Sequence, residues 1–545
     1  MSLVAYSRTN TLSHRERLTR QRDSTNYSIA GARLSFGLAS EDGNLTNRGE
    51  DFRREKREEK MNLALVLTIL TTYFAEATAL QLPPLPDLEK SCIECTALLK
   101  GLDVVFGNST KVEEMVEKVN EKCGSHNVCK KLADALIKIP ASIYAGLDKE
   151  GWPDWGLCAF VGECKSNCCN PLSSPEQVHL SLAADPHSMA VSWVTLEGDA
   201  SVVEFGTDPH KLTSKAEGTT LTYSHGGWVG VIHRATMTSL EEDKVYYYRV
   251  GDGEKKWSET FHFKTIPTAP TRSLVYAIVA DMGAESFSDD TIRSLTSLAD
   301  EGKIDVVVHT GDIGYADGYQ RRWDDMMNKI QPIASRVPYM VAPGNHEFGW
   351  AFAAYKARFF MPTPSSEMDY SWKAGKVSFV SLSSETAIDT PNISKETVAF
   401  AEKALATVDR AATPWVVVNF HRPLYCTEEA GRCDKDASKL RNQIEDTLSK
   451  TKVDFCVSGH VHAYQRSEPV YQSKVSLGAP VYLMQGASGN HEGNKGPYSP
   501  DQPDWIANSQ NDVGYGLLTV DGTTAEWQFI RSSDGTVLDK ITYSK

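Results

Sequence analysis

The 545-residue chain is predicted to fold as three successive modules: an all-α unit stapled by disulfides, an all-β sandwich, and an α/β domain. Three observations carry this expectation. Eight of the eleven cysteines fall before residue 170, among segments whose apolar residues recur at three and four. From Pro175 the apolar period shortens to two. Beyond Arg272, strand-like runs alternate with helical stretches, and five of the runs end at a turn carrying a carboxylate, amide, phenol or imidazole. The length alone calls for more than one core, since single cores rarely exceed roughly 250 to 300 residues.

Residues 1–60 are polar, rich in Arg, Ser and Asn, and end in the charged run Arg53 to Lys60. The true start is expected at Met61, where the apolar stretch LALVLTIL leads to small residues around Ala77, Thr78 and Ala79. Residues 61–79 therefore read as a secretory signal peptide. A signal anchor would need roughly 20 apolar residues, and Thr68, Thr71, Thr72 and Glu76 interrupt this run. Abundant cysteine fits a disulfide-forming compartment, so a secreted or lysosomal location is expected. The sequons at Asn108 and Asn392 are then candidate glycosylation sites. A net charge of -14 argues against nucleic acid as a partner, because phosphate backbones are held by clustered Lys and Arg. Oligomeric state has no signature in the sequence.

Within residues 88–166 the cysteines run Cys92-x-x-Cys95, then Cys123 and Cys129, then Cys158 and Cys164, between amphipathic segments such as VEEMVEKVNEKC. Zinc or a thiol redox site would account for the C-x-x-C pair but leaves the later pairs unexplained. The ordered pattern resembles the saposin B family. That resemblance implies pairings Cys92–Cys164, Cys95–Cys158 and Cys123–Cys129, and contact with lipid or membrane. The alternative is a helical unit used for packing or dimerisation.

Residues 171–266 hold the short alternating runs QVHLSL, MAVSWVT, SVVEFG and VYYYRVGDG, expected as an antiparallel sandwich with a hairpin turn at Asp252-Gly253. His179 and His225 have no partners at ligand spacing and read as surface or packing residues.

In residues 272–470, with 471–545 as the C-terminal part of the same domain, SLVYAIVA precedes Asp281, DVVVH precedes Asp312 and Tyr315 in GDIGY, and PYMVA precedes Asn345 in GNHE. PWVVVNF precedes His421, and VDFCV precedes His460 and His462 in GHVH. Functional groups of an open α/β sheet gather at the carboxyl ends of its strands, so these motifs are expected to converge. Carboxylate, amide, phenol and imidazole donors suit iron, zinc or manganese rather than a thiolate zinc site. Asp312 is placed to bridge two ions, and a pair of cations suits in-line displacement at a phosphoryl group. A second GNHE string ends at Glu492, and His491 within it is a candidate rim residue. Cys426 and Cys433 flank a loop containing Glu428 and Glu429 and are expected to pair. Cys168, Cys169 and Cys456 stay unassigned, with Cys456 reading as a buried thiol. Tyr464 and Arg466 either line the site or anchor its loop.

The stretch from about Pro175 to Lys545 resembles the purple acid phosphatases of the metallophosphoesterase superfamily, with their fibronectin-like N-terminal domain and calcineurin-like catalytic domain. The resemblance implies Fe(III) on Asp281, Asp312, Tyr315 and His462, and a divalent Fe, Zn or Mn on Asp312, Asn345, His421 and His460. It also implies that His346, with Asn345, contacts the phosphate and that His346 assists the leaving group. The activity so implied is hydrolysis of phosphate monoesters by a hydroxide of the dinuclear centre, at acidic pH, on a small-molecule or lipid phosphoester. Two alternatives stand beside it. A saposin-like unit joined to a metallophosphoesterase also resembles acid sphingomyelinase, a phospholipid phosphodiesterase, and a lipid-binding protein with a non-catalytic phosphatase scaffold is the other.

Overall fold

The computed structural model describes residues 166–169 and 175–545, apart from 363–367, 388–389, 428–431, 495–497 and 499–500. The expected signal segment, Cys92, Cys95, Cys123, Cys129, Cys158 and Cys164, the sequon at Asn108, and Glu428 with Glu429 lie outside the described residues.

Period-two alternation builds the first described module as two four-stranded antiparallel sheets. Strands Glu176–Leu182, Met189–Thr195, Val231–Met237 and Thr219–Leu221 form one sheet in that spatial order. The other runs Phe261–Lys264, Val245–Gly251, Val202–Gly206 and Ser214–Glu217. The expected hairpin turn at Asp252-Gly253 is present: the chain folds back antiparallel there, with Gly251 opposite Trp257 and the Asp252 N–H donating to the Lys256 carbonyl at 3.2 Å. Within that turn the Asp252 carboxylate accepts from the backbone N–H groups of Glu254, Lys255 and Lys256, a single acceptor that caps it.

The first sheet has a second job, which explains why its polar residues are buried. His179 Nε2 lies 2.9 Å from the Arg358 carbonyl and Ser181 Oγ donates to the Phe360 carbonyl at 2.6 Å, while Leu180 and Leu182 enter the apolar core. His179 is thus a packing residue between modules. Beside it, Arg358 pairs with Asp324 at 2.8 Å, both 1% exposed, with the guanidinium stacked near Tyr223, Trp228 and Trp323. Desolvating that ion pair is tolerable because Gln177 and Trp228 supply further hydrogen bonds to it.

The α/β module is two facing sheets. The six-stranded sheet runs Tyr339–Ala342, Val306–Thr310, Leu274–Val279, Gly514–Val520, Thr524–Arg531 and Val537–Ser544, the first three mutually parallel. In the seven-stranded sheet Val377–Ser381, Trp415–Asn419, Phe455–Ser458 and Val481–Gln485 are parallel neighbours, flanked by Tyr370–Ala374 on one side and by Tyr464–Ser467 and Ile506–Gln510 on the other. Helices Asp289–Asp300 and Gln320–Ala334 pack into the first core, and Lys395–Ala406 into the second. In the strand Trp415–Asn419, residues 415–418, WVVV, are apolar throughout because both faces are covered: Trp415 and Val417 join one core, Val416 and Val418 the other.

Tyr464 and Arg466 anchor the sheets to each other. Both reach Asp539 on the last strand, Tyr464 Oη at 2.6 Å and Arg466 Nε at 2.7 Å. Cys168 and Cys169 are bonded to each other, Cys426 is bonded to Cys433, and Cys456 is a buried free thiol. Asn392 is half-buried, its side-chain oxygen accepting from Gln443 Nε2 at 2.7 Å.

Candidate metal centre

Every motif turn follows the carboxyl end of a parallel strand. Asp281 follows Leu274–Val279, Asp312 and Tyr315 follow Val306–Thr310, and Asn345 follows Tyr339–Ala342, all in one sheet. His421 follows Trp415–Asn419, and His460 and His462 follow Phe455–Ser458, in the other. The chain must turn sharply to aim these side chains into the seam. Asp281, Asp312, Tyr315 and His460 all adopt left-handed backbone, with φ of 57°, 54°, 53° and 71°. Non-glycine residues rarely sit there, and such strain clusters at functional sites. Gly344 allows a close approach: a Cβ there would lie 2.5 Å from the Asp312 backbone nitrogen.

The side chains form two adjoining groups. In one, Tyr315 Oη lies 3.2 Å from Asp281 Oδ1 and 2.9 Å from His462 Nε2, and His462 Nε2 lies 3.4 Å from Asp281 Oδ1. In the other, His421 Nε2 lies 3.0 Å from Asp312 Oδ2 and 3.2 Å from Asn345 Oδ1, and Asp312, His421 and His460 bring one donor atom each within 4.8 Å of one another. Asp281 ties the groups together, because its Oδ2 accepts from the His460 backbone N–H at 2.7 Å.

Charge in this buried space is concentrated. Burial, and then the neighbouring Asp281 and Asp312, pushes the Tyr315 phenol well above its ordinary range. Burial alone would lower His346, but Asp317 and Asp312 raise it well above the usual imidazole value. Despite burial, His421 and His346 hold Asp312 well below the ordinary carboxylate range. A cluster of oxygen and imidazole donors, including a phenol that yields its proton only to a strong Lewis acid, fits a pair of hard to borderline cations.

All seven sequence-predicted donors come together, and His346 stands beside them. Its backbone N–H donates to Asp312 Oδ1 at 3.0 Å, and its Nδ1 lies 2.7 Å from Asp317 Oδ1. Sequence reasoning missed four partners. Asp317 orients His346. Glu347 accepts from the backbone N–H groups of Asp312, Ile313 and Gly344 at 2.8, 2.8 and 2.7 Å. Arg422, held by Glu385 at 2.8 Å, reaches His460 Nε2 at 3.1 Å. Glu492 lies 3.7 Å from His346 Nε2 and 3.9 Å from His462 Nδ1. The signal was present for Glu492, since VYLMQ before the second GNHE repeats the strand-then-turn pattern of the other motifs. His491 packs edge-on against the Tyr315 ring at 5.3 Å, on the inner side of the rim.

Two sheets that meet at a seam lined by these donors define a metallophosphoesterase, and residues 274–464 match the calcineurin-like phosphoesterase model. Residues 175–265 match the N-terminal domain of purple acid phosphatase, and 479–540 match the iron/zinc purple acid phosphatase-like protein C model. Over 380 residues the chain is 34% identical to purple acid phosphatase 22 of Arabidopsis thaliana, covering 67% of this chain and 84% of that one. It is 32% identical over 402 residues to acid phosphatase type 7 of Homo sapiens, covering 68% and 91%. The solved purple acid phosphatase from yellow lupin seeds superposes with a TM-score of 0.62 at 27% identity, covering 68% of this chain and 74% of that one. The chain belongs to the purple acid phosphatase family. It is a phosphatase with a dinuclear metal centre, and the family uses Fe(III) with a divalent Fe, Zn or Mn.

Proposed function

We propose that this phosphatase hydrolyses phosphate monoesters at acidic pH, with one cation held by Asp281, Asp312, Tyr315 and His462 and the other by Asp312, Asn345, His421 and His460. Bound there, a pair of cations polarises the phosphoryl oxygen and neutralises charge that develops during in-line displacement. The observation that carries this reading is the buried Tyr315 phenol, within 3.2 Å of Asp281 and 2.9 Å of His462, a donor that suits Fe(III). Around the centre the protein's own groups handle the proton. Asp317 fixes Nδ1 of His346, and the surrounding carboxylates favour the imidazolium, so Nε2 carries a proton toward the departing alkoxide. Asn345 adds an amide for the phosphate oxygens.

The apolar run after Met61 and the disulfides Cys168–Cys169 and Cys426–Cys433 support a secreted or lysosomal location. The test uses protein collected from the medium of cells expressing the chain from Met61, so that failure of secretion speaks against the secreted alternative. A visible absorption band lost in Tyr315→Phe, with about two metals per chain, is expected. A colourless protein with full metal loading would remove Tyr315 from the ligand set.

The six-cysteine module supports contact with lipid, which would raise the local concentration of surface-bound phosphoesters. Deleting residues 88–166 is expected to abolish liposome binding, and unchanged binding refutes this role.

A further inference from the structure

We propose that Arg422 is a phosphate-binding residue, freed for substrate when His460 binds a cation, and that it favours phosphate monoesters over diesters. This rests on the phosphatase reading above. Arg422 directly follows His421, and its side chain is 5% exposed. One end of the guanidinium is fixed. Nε points at both oxygens of Glu385, at 2.8 and 3.0 Å, and Glu385 is itself buried and accepts from the Ser384 hydroxyl at 3.0 Å. The Arg422 backbone N–H donates to that same hydroxyl at 3.0 Å, so backbone and side chain share one anchor.

The other end reaches the metal centre. Nη1 donates to His460 Nε2 at 3.1 Å, and His460 brings a donor atom within 4.8 Å of those of Asp312 and His421. Nη2 has no acceptor among the described residues. Asp436 Oδ2 lies 3.7 Å from Nη1, outside hydrogen-bond reach. Arg422 loses the His460 acceptor whichever ring nitrogen binds a cation. At Nε2 the lone pair is spent, and with Nδ1 bound the ring proton sits on Nε2, facing a guanidinium that can only donate. Arg422 thus enters the loaded state with both terminal nitrogens lacking acceptors while Glu385 keeps it in place, and leaving donors of a buried charge unpaired is costly. A phosphate oxygen at the adjoining centre is the acceptor a guanidinium fork matches. A monoester offers one more non-bridging oxygen than a diester, so this contact discriminates between them.

Equilibrium binding of inorganic phosphate and dimethyl phosphate to the metal-loaded full chain tests this without turnover. In Arg422→Gln, phosphate is expected to bind about tenfold or more weakly, the size of a lost charge-assisted hydrogen bond, while dimethyl phosphate shifts by less than about twofold. Arg422→Lys keeps a cation beside Glu385 but has no fork, and its phosphate affinity should fall between the two. Metal content and melting curves accompany each variant, and where Arg422→Gln does not keep its metals Arg422→Lys decides by the same comparison. Unchanged phosphate affinity in a metal-loaded variant, or an equal loss for both ligands, overturns the role of Arg422 and leaves the phosphatase reading intact. Failure of the unaltered protein to bind phosphate overturns the phosphatase reading and this role with it.

Discussion

Glu347 makes no contact with substrate in this reading, yet its two oxygens hold the GDIGY and GNHE turns together. Oε2 accepts from Asp312 and Gly344, and Oε1 from Ile313. Glutamine keeps the size but turns one of those acceptors into a donor facing a buried N–H. An unsatisfied buried donor costs about 1 to 3 kcal/mol. Glu347→Gln is therefore expected to lower the thermal midpoint and to reduce metal content selectively, since Asp312 and Asn345 share the displaced turns. Melting curves paired with metal analysis check this; a destabilised variant with full metal content would confine Glu347 to a general packing role. Asp317 acts in the same indirect way, orienting a histidine.

At the scale of elements, strands and turns were legible where one chemistry dominated. The five strand-then-turn motifs could be read directly, because covered parallel strands leave continuous apolar runs and their ends carry the polar donors. Tyr315 was legible through its spacing from Asp312. What stayed hidden depends on neighbours distant in sequence. Nothing around Glu347 or Asp317 distinguishes it from a solvated carboxylate until Gly344, Asp312 and His346 are brought beside it. The Asp252-Gly253 turn was legible, but the cap on it was not, because that role of the Asp252 carboxylate depends on three N–H groups downstream. His179 was legible only as one of two alternatives, since its partner carbonyl at Arg358 is 179 residues away.

For the whole molecule, the arrangement of the two catalytic sheets matters more than either alone. Asp281, Asp312, Tyr315 and Asn345 descend from the six-stranded sheet, and His421, His460 and His462 from the seven-stranded one. Each proposed cation draws donors from both. Ions held in that way would be keystones as well as reagents, locking the halves of the domain across a seam where four donor residues are already twisted into left-handed backbone. A ligand that binds only the assembled state stabilises it by mass action. Calorimetry on the chelated protein should find a lower and broader transition than on the loaded protein, and identical transitions would mean that the apolar interior alone couples the halves. Cooperativity of unfolding in this domain would thus report its metal content, and cells that withhold iron would make not merely an idle enzyme but a loosened one.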